Sequence, residues 1–242
     1  MNRAAGPNVD PGVTRDTFGV AGRSVLVAGA SGGLGSAIAA DLAGRGARLT
    51  LVARDAQRLA RLDVAGHKVA LDLRDPSACE SAVAAAIDHA GQLDVVVNAV
   101  GVVAFGTVAE LSVDVMEELF MTNTFVPIML SRAALTSMAD GGVIVNISGI
   151  VAEQAVSGMA AYGASKAAVH SFDEALAREV RRRRIRVIDA RPPHTETGLA
   201  TRPIHGQAPR MPVGLDPAMV ASIIGDAIAG DVVDLPSGAF VR

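Results

Sequence analysis

Aromatic residues and cysteines are scarce in this sequence of 242 residues. It has no tryptophan, one tyrosine and a single cysteine, Cys79. One cysteine excludes an intramolecular disulfide, so we expect a cytoplasmic protein, or one indifferent to redox state. The most apolar stretch, residues 95–108, is interrupted by Asn98 and by glycines. It is too short for a membrane helix of about 20 residues, and we predict no membrane span.

A strong net charge is also absent. The 22 basic residues nearly balance the 25 acidic ones, leaving a formal charge of -3. This balance excludes the broad positive field of a protein that binds nucleic acid or an anionic membrane surface. The arginines 181–184 end a predicted helix, where the helix dipole stabilises cations. Small neutral substrates remain open. Histidine, cysteine and acidic residues show no metal-ligand spacing, so we predict no metal.

The N-terminal segment differs from the rest of the chain. Residues 1–19 are rich in Gly, Pro, Asn and Asp and lack the apolar centre of a signal peptide. We predict a flexible leader there. Half of the whole sequence is apolar, which is enough for a large buried core. No segment has the composition of a linker between domains. We therefore predict one domain over residues 20–242.

Short apolar runs alternate with helical patterns along this domain. The predicted strands are Ser24–Ala28, Arg48–Val52, Val69–Leu73, Val95–Ala99, Val143–Ile147 and Arg186–Ala190. The predicted helices are Ser36–Ala43, Pro76–Ala90, Ser112–Met138 and Ala160–Arg184. This alternation predicts an α/β fold with a single Rossmann-type, doubly wound parallel sheet and helices on both faces. Six prolines over residues 192–217 predict an irregular excursion beyond a strand's carboxyl end, where ligands bind in such sheets.

A glycine-rich turn joins the first predicted strand to the first helix. Its sequence is GASGGLG, and the residues that we assign to phosphate binding are Gly29, Ser31, Gly33, Leu34 and Gly35. Glycines let the backbone turn tightly and approach a pyrophosphate, whose charge the helix N-terminus favours. A similar turn also serves helix packing in proteins without a ligand, so the spacing alone does not establish a dinucleotide site.

Further motifs follow this turn in a characteristic order. They are Asn98–Gly101 in VVVNAVG, Asn123 in a long predicted helix, and Tyr162 with Lys166 in AYGASKAAV. Together with the spacing G-x-x-x-G-x-G they resemble the short-chain dehydrogenase/reductase family from residue 22 to about residue 197. The resemblance implies a nicotinamide dinucleotide that is contacted, beyond the glycine turn, by Asp72, Leu73, Asn98, Gly101, Tyr162, Lys166, Thr195 and Thr197.

The end of the second predicted strand bears on the choice between NADP and NAD. An acidic residue at this place would bind the ribose 2'-hydroxyl of NAD and repel a 2'-phosphate. Here Ala53 occupies the position, and Arg54 follows it. Arg54 can pair with a 2'-phosphate, which favours NADP, although it also fits a solvated loop arginine. Asp55, one residue later, keeps NAD as the less favoured alternative.

Tyr162 and Lys166 are four residues apart on a predicted helix, so they share one face. A nearby ammonium is expected to lower the tyrosine pKa from its usual value near 10. The resemblance implies that Tyr162 exchanges a proton with the substrate oxygen while a hydride moves between substrate and nicotinamide. It also implies that Lys166 holds the nicotinamide ribose, and that Asn123 binds a water connecting the lysine to solvent.

Two positions depart from the family pattern. Gly149 stands where the family usually carries a serine that binds the substrate oxygen, thirteen residues before Tyr162, and Pro193 replaces a glycine. We predict that Ser148 takes over the role of the missing serine, provided that its side chain is not turned away. The leading hypothesis is an NAD(P)-dependent oxidoreductase that interconverts a secondary alcohol and a ketone. The alternative is a cofactor-binding sensor or pseudoenzyme of the same fold.

The resemblance also implies a homo-oligomer. Family members commonly form dimers or tetramers through their two long helices. Small apolar residues around Ala133 and Ala168 permit such packing here.

Overall fold

The computed structural model describes residues 18–241. Residues 1–17 of the predicted leader therefore lie outside the described residues. Phe18, which the prediction assigned to the leader, is part of the fold. Its backbone N–H donates to the carbonyl of Ala229 at 2.8 Å. Its ring packs against the core and lies 4.5 Å below the guanidinium of Arg23.

Six parallel strands form one sheet. The strands are β1 (Ser24–Ala28), β2 (Arg48–Ala53), β3 (His67–Ala70), β4 (Val95–Asn98), β5 (Val143–Ile147) and β6 (Arg186–Ala190). Their spatial order is β3-β2-β1-β4-β5-β6, and every neighbouring pair is parallel. The strand order reverses between β1 and β4, where a crevice opens at the carboxyl ends. The predicted doubly wound α/β fold is confirmed.

Helices connect the strands and cover the sheet. They are α1 (Gly33–Gly44), α2 (Ala56–Ala60), α3 (Pro76–Ala90), α4 (Val113–Phe120), α5 (Val126–Leu135), α6 (Ala160–Glu179) and α7 (Pro217–Ala229). Among the described residues, no helix has both the length and the apolar character needed to cross a membrane.

Alternate side chains of every strand except β3 contribute to two separate cores. In β1, Val25 and Val27 belong to the core shared with α1 and α7, whereas Leu26 and Ala28 belong to the core shared with α3, α5 and α6. Because both faces of the strand are buried, the sequence shows an unbroken apolar run instead of a polar alternation. This burial fixes the sheet between two helical layers and leaves its carboxyl edge for the site.

The structure corrects several predicted bounds. β3 covers His67–Ala70 instead of Val69–Leu73, so Asp72 lies beyond the strand and does not close it. The helix predicted over Ser112–Met138 is divided by a π-helical turn at Met121–Phe125. α6 ends at Glu179 rather than at Arg184. The bounds of β3 have no strong sequence signal because it is a short, half-exposed edge strand. The π turn has none because it continues helical geometry.

The two residues around which small apolar side chains permit packing between subunits differ in their exposure. Ala133 on α5 is 6% exposed and packs inside the core formed with α3 and α6. Ala168 on α6 is only partly buried. The predicted homo-oligomer is untested by this single chain.

Candidate active site

Three glycines of the turn after β1 stand where a side chain would have no room. Gly29 has a φ of +79°, and a Cβ there would lie 2.7 Å from the carbonyl oxygen of Ala99. A Cβ on Gly35 would overlap the carbonyl oxygen of Gly29, and one on Gly33 would overlap that of Thr197. The glycines are thus required by close approach of backbone segments.

Helix α1 begins in this turn without a side-chain cap. Gly32 is its N-cap residue and has no side chain that could accept from the first helical amides. The N–H groups at the start of a helix have no intrahelical partner and carry the positive end of the helix dipole. Uncapped amides beside glycines form a backbone cradle suited to a phosphate group. This donor set fits the pyrophosphate of a dinucleotide.

A cleft of about 370 Å³ opens over the turn at the carboxyl edge of the sheet. Predicted cofactor residues that line it are Ser31, Gly33, Leu34, Arg54, Asp72, Leu73, Gly101 and Thr197. Residues from β2, the loop after β3 and the loop after β4 thus meet the glycine turn. The structure brings together the segments that the resemblance assigned to one cofactor.

The region after β2 favours a negatively charged group. Ala53 is buried, whereas Arg54 is exposed and lines the cleft. The Asp55 carboxylate accepts from the backbone N–H of Arg58 at 3.0 Å and thereby caps α2. The Arg58 guanidinium donates to the carbonyl of Ser31 at 2.9 Å and lines the same cleft. Arg58 was not predicted as a cleft residue, because Arg54 precedes α2 and no helical spacing links the two arginines.

Asp72, which the resemblance assigned to the dinucleotide, is engaged in an ion pair. Its carboxylate binds the Arg74 guanidinium at 2.5 Å, and Arg74 also reaches the Glu118 carboxylate at 3.0 Å. The hydrogen bond from Arg74 holds the pKa of Asp72 below its usual value. Leu73 is buried among core residues and presents one surface to the cleft. Arg74 also lines the cleft. It was not predicted there, because its partner Glu118 is distant in sequence.

The end of β4 leads into the centre of the site. The Asn98 side-chain oxygen accepts from the backbone N–H of Val100 at 3.2 Å, which shapes the loop. Gly101 follows in the cleft. A Cβ on Gly101 would lie 3.4 Å from Asn123 Oδ1 and 3.5 Å from Lys166 Nζ. This glycine therefore lies next to both predicted polar residues.

Asn123 sits in the π-helical turn and is fully buried. Its side-chain oxygen accepts from the N–H of Val102, and its side-chain nitrogen donates to the Val102 carbonyl, both at 2.9 Å. The same nitrogen donates to Ser165 Oγ at 3.1 Å. A π turn shifts side chains by part of a turn and is frequent at functional sites. Asn123 links the loop after β4 to helix α6.

Tyr162 and Lys166 lie one helical turn apart on α6 and are 9% and 6% exposed. The lysine Nζ donates to the Ile147 carbonyl at 2.7 Å. Burial raises the pKa of Tyr162 to about 12. Burial lowers the pKa of Lys166 to about 8, and the Asp189 carboxylate opposes that shift. The expectation that the ammonium would lower the tyrosine pKa is not met here, because the cost of burying the phenolate dominates.

The loop after β5 corrects the prediction for Ser148. Its hydroxyl donates to the Asp189 carboxylate, and the residue is 1% exposed. The side chain is therefore turned into the protein rather than toward an incoming oxygen. Gly149 has a φ of +89°, which an L side chain rarely adopts. A serine at position 149 would be strained in this loop, which explains the departure in physical terms.

The two threonines after β6 differ in position. Thr197 lines the cleft, and its hydroxyl oxygen accepts from the Leu199 N–H at 3.4 Å. The Thr195 hydroxyl donates to the Pro193 carbonyl at 2.9 Å, and Thr195 is not among the residues that line the cleft. Thr197 is therefore the better placed of the two for a cofactor contact.

Comparisons with known proteins agree with this geometry. Residues 23–207 match the family described as short chain dehydrogenase. The mouse (Mus musculus) 3-ketodihydrosphingosine reductase is 32% identical over 92% of this chain and 74% of its own length. A short-chain dehydrogenase from Burkholderia cenocepacia, solved in complex with NADP, has a TM-score of 0.80 and 27% identity, covering 93% of this chain and 100% of its own. A blue fluorescent protein from a metagenomic library, solved with NADPH, gives the same TM-score, identity and coverage. The chain described here belongs to the short-chain dehydrogenase/reductase family.

Proposed function

We propose that this protein is an NADP-dependent oxidoreductase that interconverts a secondary alcohol and a ketone. The observation that carries the proposal is the meeting of Gly101, Asn123 and Lys166 at the carboxyl edge of the sheet, one helical turn from Tyr162. A buried tyrosine and lysine on one helix face are the pair that proton transfer to a carbonyl oxygen needs. The bound nicotinamide would supply or accept the hydride.

Each of the chain's own residues has a defined part in the proposal. In the reducing direction the Tyr162 hydroxyl donates its proton to the carbonyl oxygen as the carbonyl carbon receives the hydride. The Lys166 ammonium stabilises the phenolate left behind, because opposite charges attract strongly in a poorly solvated site. Asn123 holds the loop after β4 through Val102. The high pKa of Tyr162 keeps its proton in place at neutral pH.

The preference for NADP rests on arginines in the cleft. Arg54 and Arg58 both line it, whereas the carboxylate of Asp55 caps α2. Guanidinium groups bind phosphate with charge-assisted hydrogen bonds, which NAD cannot exploit at its 2'-hydroxyl. The NADP and NADPH complexes of the two structural neighbours support the same choice. A ketone substrate is in keeping with the mouse relative, whose name is that of a ketone reductase.

A cofactor-binding sensor is the second candidate, and one observation favours it. With glycine at position 149 and the Ser148 hydroxyl bound to Asp189, neither residue offers a side-chain donor for a substrate oxygen. Loss of one such donor costs an enzyme roughly a hundredfold in rate. Tyr162 would then be the remaining proton donor.

The experiment that tests the proposal is a panel of ketones with NADPH or NADH, followed by loss of absorbance of the reduced cofactor. We expect turnover of at least one ketone, and faster turnover with NADPH. If NADPH binds but no ketone is reduced, and no secondary alcohol is oxidised with NADP, the sensor replaces the enzyme.

A further inference from the structure

A buried cluster of charged and polar side chains lies behind the proposed catalytic pair. Its centre is Asp189 on β6, which is 4% exposed. The Asp189 carboxylate accepts from the Ser148 hydroxyl, from the Arg191 guanidinium at 2.6 Å and lies 2.7 Å from His170 Nδ1. A buried charge is expensive unless it is paired and hydrogen-bonded, and here both carboxylate oxygens are engaged.

This cluster also holds the loop that follows β5. The backbone N–H groups of Ser148 and Gly149 donate to the carbonyl of Ala190 at 3.0 and 3.2 Å. The Ser148 side chain adds the bond to Asp189 on the same strand. The Ile147–Ser148 peptide group is therefore held from its amide side, while its carbonyl accepts the hydrogen bond of Lys166 at 2.7 Å.

We propose that Asp189 is a positioning residue for Lys166. It holds Ser148, and with it the peptide carbonyl on which the lysine rests, and it places a buried negative charge close to the ammonium. Asp189 touches neither the cleft nor the reacting atoms. The significance of Lys166 rests on the proposed function, whereas the effect of Asp189 on the lysine does not.

The charged groups around the two residues support this assignment. Asp189 favours the ammonium form of Lys166, against the burial that lowers the lysine pKa to about 8. Asp173 on α6 is also buried, but its carboxylate accepts from the Asn146 side chain at 2.6 Å. Burial raises the pKa of Asp173 well above its usual value, and Asp173 bonds neither Ser148 nor Lys166. His170 and Arg191 contact Asp189 directly, and Asp173 interacts with it through its charge. Arg191 also pairs with Glu153 and Asp234.

The composition of the chain makes a direct measurement practical. Lys68 is the only other lysine in the sequence. NMR titration of protein labelled at the lysine side chains, without cofactor, therefore yields two signals, which Lys68→Arg assigns. Lys68 lies far along the sheet on β3 and serves as the internal control.

Asp189→Asn keeps an acceptor for Ser148 and removes the charge. We expect the Lys166 titration midpoint to move to lower pH, with Lys68 unchanged. Asp173→Asn is the matched control, since Asp173 is a second buried carboxyl, bonded to Asn146 and not to the Ser148 loop, and its substitution should leave Lys166 unchanged. An unchanged Lys166 midpoint in Asp189→Asn overturns the proposal, as does an equal shift in Asp173→Asn.

Ser148→Ala tests the positioning of the peptide separately from the charge of Asp189. It can be measured even if Asp189→Asn fails to fold. It leaves the charge in place and removes the side-chain bond to Asp189. We expect hydrogen exchange of the amides at 148 and 149 to accelerate roughly tenfold, relative to the amide of Val145 within β5. Unchanged exchange would contradict the hold on the peptide. Absence of ketone reduction in the wild type would reject the proposed function and leave both of these results standing.

Discussion

Arg54→Ala is the sharpest perturbation of cofactor choice. Arg54 is exposed in the cleft, next to the Arg58 guanidinium that reaches the glycine turn at Ser31. A hydrogen bond to a charged group contributes about 1.5–3 kcal/mol, which corresponds to roughly a 10- to 150-fold change in affinity. We expect NADPH affinity to fall by that factor and NADH affinity to stay within about twofold, because NADH has no 2'-phosphate to lose.

The assay is a titration of cofactor fluorescence, which tryptophan does not disturb because the chain has none. Low ionic strength should enlarge the effect, since salt screens a partly exposed charge pair. Arg61→Ala is the matched control, because Arg61 is an exposed arginine at the end of α2 that does not line the cleft. Equal loss of NADPH and NADH affinity in Arg54→Ala, or equal wild-type affinities, would refute the reasoning.

Three further predictions follow from packing and burial. Gly35→Ala should abolish NADPH binding and lower the melting temperature, because its methyl group would overlap the Gly29 carbonyl. Gly44→Ala, with open space at its Cβ, should change neither, and similar behaviour of both variants would contradict this account. Absorbance of the single tyrosine should show no phenolate up to about pH 10, because burial raises the pKa of Tyr162 to about 12. Folding stability should therefore fall as pH rises from 10 to 12, where only the unfolded chain loses this proton; a folded-state midpoint near 10 would disprove it. The Cys79 thiol, whose burial raises its pKa to about 11, should react with a thiol reagent only after unfolding, and rapid reaction of the native protein would argue against this.

The sequence was sufficient for the features that depend on local pattern. β1 was visible because both of its faces are buried, and the glycine turn because its backbone approaches leave no room for a Cβ. The pair Tyr162 and Lys166 was identified through the family resemblance, and its spacing of four predicts that both side chains share one helix face. These features need no knowledge of distant contacts.

The remaining features depend on tertiary contacts or on single-residue register. The direction of Ser148 could not be predicted, because adjacent residues of an extended chain point to opposite sides. The ion pairs of Arg74 and the cluster around Asp189 join residues far apart in sequence. The π turn at Met121–Phe125 has no periodicity that separates it from the flanking helices.

The central claim is that Tyr162 transfers the proton, and Tyr162→Phe tests it most directly. The substitution removes one hydroxyl and keeps the ring that fills the buried site, so NADPH affinity should be nearly unchanged. Loss of a positioned proton donor costs about a hundred- to ten-thousandfold in rate, and we expect kcat for ketone reduction to fall by at least a hundredfold. Equal kcat values for wild type and Tyr162→Phe, on any ketone that the protein reduces, would contradict the account.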